Sequence, residues 1–201
     1  MEVKYVTWNE NLSKRCNQTL LPKGIRGLII RKCGCGKTTL LINLLLSPGW
    51  LYYNNINSFG KSLFQSEYHI LKKTFEKKLL KEVIIRLFES QNEITDLGIS
   101  LISIVEEMAK EITDKSDVVC NCYQSAEDVS DPRELSSEKK NLMVFDNLLL
   151  EKQNTCESHY ANGTHTNVDC LYLARNYFKL PRQTIRENAH FMSVPPRSEE
   201  P

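Results

Sequence analysis

The 201-residue chain lacks several things, and each absence narrows its function. There is almost no excess charge: 26 Lys and Arg stand against 25 Asp and Glu, a net of +1, so no global electrostatic footprint for nucleic acid exists. Long apolar runs are missing too. The longest mostly apolar stretch, "LLINLLL", falls far short of the roughly 20 residues that span a bilayer, and no membrane association is expected. The seven cysteines form no disulfide-like array, and "MEVKYVTWNENLSKRC" has no signal-peptide pattern. Both point to a reducing, intracellular setting, cytoplasm or nucleus, and away from secretion. No internal repeat is visible. The basic "KKTFEKKLLK" and the acidic span from Glu89 to Glu138 read as solvated faces or loops.

What is present is a 41% hydrophobic content arranged in alternating strand-like and helix-like segments. Residues 1–23 show no periodicity and are expected as a loose lead-in. "GIRGLIIR" reads as a buried strand, and "GKTTLLINLLLS" as a helix stopped by Pro48-Gly49. "WLYYNNI" predicts a second strand. Phe64, Tyr68, Leu71, Phe75 and Leu79 mark one face of an amphipathic helix. "EVIIRLFE" resembles another strand, and a helix is expected around "SIVEEMAKEI" within an acidic insertion at about 90–140. "NLMVFDN" and "VDCLYLAR" are clear strands, "PRQTIREN" opens a helix, and "FMSV" begins a final strand. This alternation predicts an α/β domain over 24–194, a mostly parallel sheet with helices on both faces, followed by a disordered tail at 195–201.

The chemistry concentrates in "RKCGCGKTTLL". A strand, a Gly-rich turn, Lys-Thr and a helix make the context in which a phosphate-loop match becomes specific. Gly34 and Gly36 let backbone amides approach an anion across Cys35, at a helix N-terminus. Lys37 is expected to reach the terminal phosphates of ATP, and Thr38 to hold Mg²⁺. Arg31 stands where the motif GxxxxGK[ST] has its first glycine. Were its φ positive, strain of about 1–2 kcal/mol would weaken binding roughly tenfold. "LMVFDN" follows about a hundred residues later with four apolar residues and an acid. Asp146 is thereby placed beside Thr38, at the carboxyl ends of neighbouring strands, as a second Mg²⁺ ligand. Where ATPases carry a water-activating acid after that aspartate, this chain has Asn147, which positions water but takes no proton.

"LIIRKCGCGKTTLLINLLL", "NLMVFDNLLLEKQN" and "NVDCLYLARNYFKLPRQTIRENAHF" together resemble the poxvirus-type DNA-packaging ATPases of the FtsK–HerA superfamily, as carried by Maverick/Polinton-type transposons. The resemblance spans Gly24 to Phe191. It implies a RecA-like P-loop NTPase core with the Asp146 strand beside an inserted sensor strand. It also implies ATP hydrolysis in a homo-oligomeric ring, a hexamer, acting on double-stranded DNA. It supports Gly34, Gly36, Lys37, Thr38 and Thr39 as the phosphate loop and Asp146 as the Mg²⁺ acid. The departures are Arg31, Asn147, Thr164 where a basic residue is common, and Arg175 where the sensor strand usually offers Gln. The resemblance also places further structure after "FMSVPPRSEEP". The expectation is therefore a degenerate, truncated copy that binds ATP with impaired hydrolysis. The alternative is a non-catalytic interaction protein or inactive transposon remnant that no longer binds nucleotide. A nucleotide kinase would need an arginine-rich lid, against which the acidic insertion argues.

Three other groups are weaker. Cys156, His159, His165 and Cys170 have zinc-ligand types but not a usual finger spacing, so a polar loop with a buried cysteine is favoured. Cys33 and Cys35 lie in the phosphate loop, where small side chains are needed. Arg182 and Arg186, one helical turn apart, read first as a solvated face and second as a contact for DNA or a neighbouring subunit.

Overall fold

The computed structural model describes residues 24–46, 51–61, 63, 66–90, 94, 100–112, 118–124, 131, 134–135, 138–148, 154–162 and 167–194. Six strands, β1 (Arg26–Ile30), β2 (Asn55–Gly60), β3 (Val119–Tyr123), β4 (Asn141–Asp146), β5 (Val168–Ala174) and β6 (Phe191–Ser193), form one sheet in the order β3-β2-β4-β5-β1-β6. Every pairing is parallel. The helices are α1 (Lys37–Leu46), α2 (Ser66–Glu76), α3 (Lys81–Glu89), α4 (Leu101–Glu111) and α5 (Asn154–Asn162).

The central strands are buried on both faces, which is why they read as unbroken apolar runs. Their side chains alternate between two cores. Ile29, Leu142, Val144, Leu171 and Leu173 face α1, α2, α3 and α4. Leu28, Met143, Phe145, Cys170 and Tyr172 face α5 and the segment around Ile185. The predicted helical coverage of both faces is present.

Several local expectations are corrected. "EVIIRLFE" is not a strand but α3: Ile84 is fully buried while Ile85, Leu87 and Phe88 pack beside it, a spacing only a helix brings together. β2 does not run through "WLYYNNI"; it begins at Asn55 and ends at Gly60. Its polar composition hides it. Asn55 donates from Nδ2 to Oδ1 of Asn141 at 2.8 Å, and Asn121 donates from Nδ2 to Oδ1 of Asn57 at 3.1 Å. These rungs across β3, β2 and β4 satisfy amides that would otherwise be costly inside a sheet. β3 lies within the span expected as an acidic connection. "PRQTIREN" forms one π-helical turn, Arg182–Arg186, rather than a longer helix, with the amide of Arg186 donating to the Pro181 carbonyl at 3.1 Å. "FMSV" does supply β6, docked along β1.

Candidate nucleotide site

The sheet brings the carboxyl ends of β1, β4 and β5 to one edge, where the first turns of α1 and α2 also arrive. β4 and β1 are not neighbours: β5 runs between them, paired with both. Asp146 and Thr38 consequently face each other across the end of β5.

The loop leaves β1 with the Arg31 amide donating to Ala174 of β5 at 3.1 Å, so Arg31 still continues the sheet. Positive φ angles fall at Gly34 (72°) and Gly36 (70°), the two glycines the motif supplies for this purpose. Arg31 is not among the positive-φ residues, and the strain considered for it does not arise. Its guanidinium instead reaches along the loop, Nη1 donating to the Cys35 carbonyl at 3.3 Å. α1 starts at Lys37, so its leading amides have no partner within the helix. The Lys37 ammonium folds over the bend, donating to the carbonyls of Arg31 and Lys32 at 3.3 Å each.

A cavity of about 520 Å³ opens above this loop. From the loop and α1 it is lined by Cys33, Gly34, Gly36, Lys37, Thr38 and Thr39. Asp146 and Asn147 close it from β4, and Arg175 from the end of β5. Cys35 is exposed and does not line it. The other candidate residues thus converge on one space. Asn147 sits in the left-handed region (φ 57°), a conformation asparagine tolerates, with its amide donating to Leu173 at 2.9 Å.

Sequence reading missed what α2 contributes. Ser66 and Glu67 complete the wall, the Ser66 hydroxyl donating to Oε2 of Glu67 at 3.0 Å. Tyr68, expected only as a core residue, is indeed buried, but its hydroxyl donates to Oδ2 of Asp146 at 2.9 Å. Tyr68 thus gives a fixed donor to the acid that shares the cavity with Thr38. Burial raises the Asp146 carboxyl above its ordinary pKa, opposed by the Tyr68 hydrogen bond and the charges of Lys37 and Arg175. Burial, then the Asp146 charge, pushes the Tyr68 phenol well up, so it stays a neutral donor. Close approach of β2 to the backbone of Asp146 requires Gly60, where a Cβ would lie 2.7 Å from the Asp146 carbonyl oxygen.

Hard oxygen donors of this type, a hydroxyl and a carboxylate, suit Mg²⁺ carried by a phosphate ligand. Bound there, such an ion would neutralise phosphate charge, while Lys37 and the loop amides would hold the phosphate oxygens.

The other constellations lie apart. Cys156 and His159 of α5 are buried against β5, where the Cys170 thiol donates to the His159 carbonyl at 3.7 Å. His165, Thr164 and residues 1–23 and 195–201 fall outside the described residues, and among those described no group of three metal-ligating side chains gathers. No described helix is long and apolar enough to cross a membrane.

A parallel sheet with this strand order, a glycine loop from β1 into α1 and an acid ending β4 define the architecture. The chain has an α/β, P-loop NTPase-like fold. No protein-family model matches it, and no curated protein matches it significantly. Among solved structures it is similar to the cytoplasmic domain of EssC, with 13% identity, 85% of this chain and 32% of that chain covered, and a TM-score of 0.41. It is similar to ATPases 2 and 3 of Thermomonospora curvata EccC, solved with a signal sequence peptide, with 13% identity, 83% and 30% covered, and a TM-score of 0.40. A DnaB-like replicative helicase gives 15% identity, 91% and 53% covered, and a TM-score of 0.46. The chain spans about a third of the EssC and EccC chains and about half of the helicase chain.

Proposed function

We propose that this protein binds ATP with Mg²⁺ at the loop spanning Gly34 to Thr39, and that it derives from an ATPase that moved or packaged DNA. The observation that carries the reading is the meeting of Lys37, Thr38 and Asp146 around one cavity of about 520 Å³. ATP hydrolysis through this site is slow. Asn147 occupies the position next to the metal acid and has no basic oxygen to accept a proton from water. Arg175 at the sensor position offers a phosphate a cation rather than a neutral amide.

Contact with DNA or with a second copy in a ring is assigned to the segment after β5. From Arg175 to Glu187 there are four cations, Arg175, Lys179, Arg182 and Arg186, and one acid, Glu187, which pairs with Arg182 at 3.1 Å. Phe178 in its middle is 81% exposed. This cluster departs from the near-neutral balance of the whole chain.

Thermal unfolding with and without millimolar Mg·ATP tests the binding reading. A ligand that binds only the native state stabilises it by about 2.7 kcal/mol at a hundred times its Kd, a rise of several degrees for a chain of this size. No shift with ATP or ADP favours the alternative, a non-catalytic interaction protein or transposon remnant without nucleotide. Turnover tests the rest: Asn147→Asp is expected to raise hydrolysis at least tenfold, and fast turnover by the unmodified chain contradicts the slow-site reading.

A further inference from the structure

We propose that Tyr68 is the positioning residue of the metal site: its hydroxyl holds Oδ2 of Asp146, fixing the carboxylate so that Oδ1 is the oxygen offered to a nucleotide-bound cation. The inference rests on the nucleotide reading above and adds a residue that neither the phosphate-loop nor the strand-end motif contains.

A tyrosine with 1% of its surface exposed needs no hydroxyl to fill a core; phenylalanine packs the same ring without burying an oxygen. Here the phenol oxygen is placed with care. It donates to Asp146 at 2.9 Å, the acid that the sequence assigns to the cation. A phenol has one proton to give, and here it goes to Asp146. Asp146 makes no other hydrogen bond among the described residues, so Oδ1 remains without a fixed donor.

The alternative origin of this contact is a core tyrosine whose oxygen happened to find partners. The two origins differ in what the oxygen controls. A packing role affects stability and leaves the metal dependence of nucleotide binding alone. A positioning role affects the metal dependence and leaves metal-free binding alone, because among the described residues the Tyr68 hydroxyl bonds Asp146 and not the loop amides or Lys37.

The test measures binding of a non-hydrolysable β,γ-imido ATP analogue by calorimetry, in Mg²⁺ and in EDTA, for the unmodified chain and Tyr68→Phe. The expected result is equal affinity in EDTA, within about twofold, and an Mg²⁺ enhancement reduced about tenfold in the variant, the size of one lost hydrogen bond to a charged group. An unchanged enhancement in Tyr68→Phe overturns the role of Tyr68 and leaves the nucleotide site standing. Absence of binding by the unmodified chain in both buffers overturns the nucleotide site, and the role of Tyr68 with it. The cycle with Asp146→Asn guards against a general weakening: Tyr68→Phe must have no further effect on the enhancement once Asp146 is Asn, and independent, additive losses reject the coupling.

Discussion

Two buried aspartates stand at opposite ends of the adjacent strands β4 and β5, and each accepts a hydrogen bond from a tyrosine. Asp169, near the start of β5, is fully supplied. Its Oδ1 takes the Ile25 amide at 2.7 Å and its Oδ2 the Tyr53 hydroxyl at 2.7 Å. Lys140 adds a cation 3.7 Å from Oδ2 while lying over the Tyr53 ring at 4.7 Å. The carboxylate of Asp146, at the end of β4, has one hydrogen bond among the described residues, from Tyr68, and its nearest cations are occupied or solvated: Lys37 bonds two loop carbonyls and Arg175 is exposed. The same pair of residue types thus does two jobs. Where fixed donors saturate a carboxylate, the group is structural and its charge is neutralised within the fold. Where they do not, the carboxylate retains an affinity that a cation can satisfy.

The comparison is broken most severely at the structural end. Asp169→Ala leaves the Ile25 amide and the Tyr53 hydroxyl without an acceptor and is expected to cost about 3–5 kcal/mol, read as a lower urea midpoint at unchanged slope. Tyr53→Phe removes one donor and keeps the ring under Lys140, so a loss of about 1–2 kcal/mol is expected in the same measurement. Asp146→Asn goes the other way. Without metal or nucleotide it should stabilise the protein by on the order of 1 kcal/mol, because an amide is cheaper to bury than a carboxylate and still accepts from Tyr68.

The pH dependence sharpens that last prediction. The folded Asp146 carboxyl has its pKa raised by burial, so the protonated form is the one the fold prefers. Its contribution is whole below the unfolded value and is lost as pH rises through the folded value. The stability gap between Asp146→Asn and the unmodified chain should therefore be absent in acid, open above pH 3.8 and be complete once the raised folded value is passed. An Asp146→Asn variant less stable than the unmodified chain at neutral pH, with the difference closing in acid, would instead mean that the fold holds this carboxylate charged.

How much of this was legible in the sequence follows from the kind of signal each part leaves. β1, β4 and β5 are buried on both sides and announce themselves as apolar runs, and the loop between β1 and α1 is spelled out by glycines whose positive φ the structure contains. β2 and β3 were misplaced or missed because asparagine rungs replace the hydrophobic signal. α3 was misassigned because three β-branched residues in succession, Val83, Ile84 and Ile85, imitate a strand. Tyr68 was visible only as a member of an apolar periodicity. Its polar end carries no pattern, and its partner Asp146 lies 78 residues away, a proximity that only the fold creates. Asp146 and Thr38 line one cavity, but their strands are not the neighbours the motif reading expected, since β5 separates them.

The folded-over ammonium of Lys37 has a consequence for speed. At 3.3 Å each, its two bonds to Arg31 and Lys32 are long, so releasing them costs little. Between visits of a phosphate the lysine nevertheless clamps the bend against its own backbone, keeping the amides gathered instead of letting the loop unravel. An arriving anion meets a shape already made and need only persuade one flexible arm to change sides.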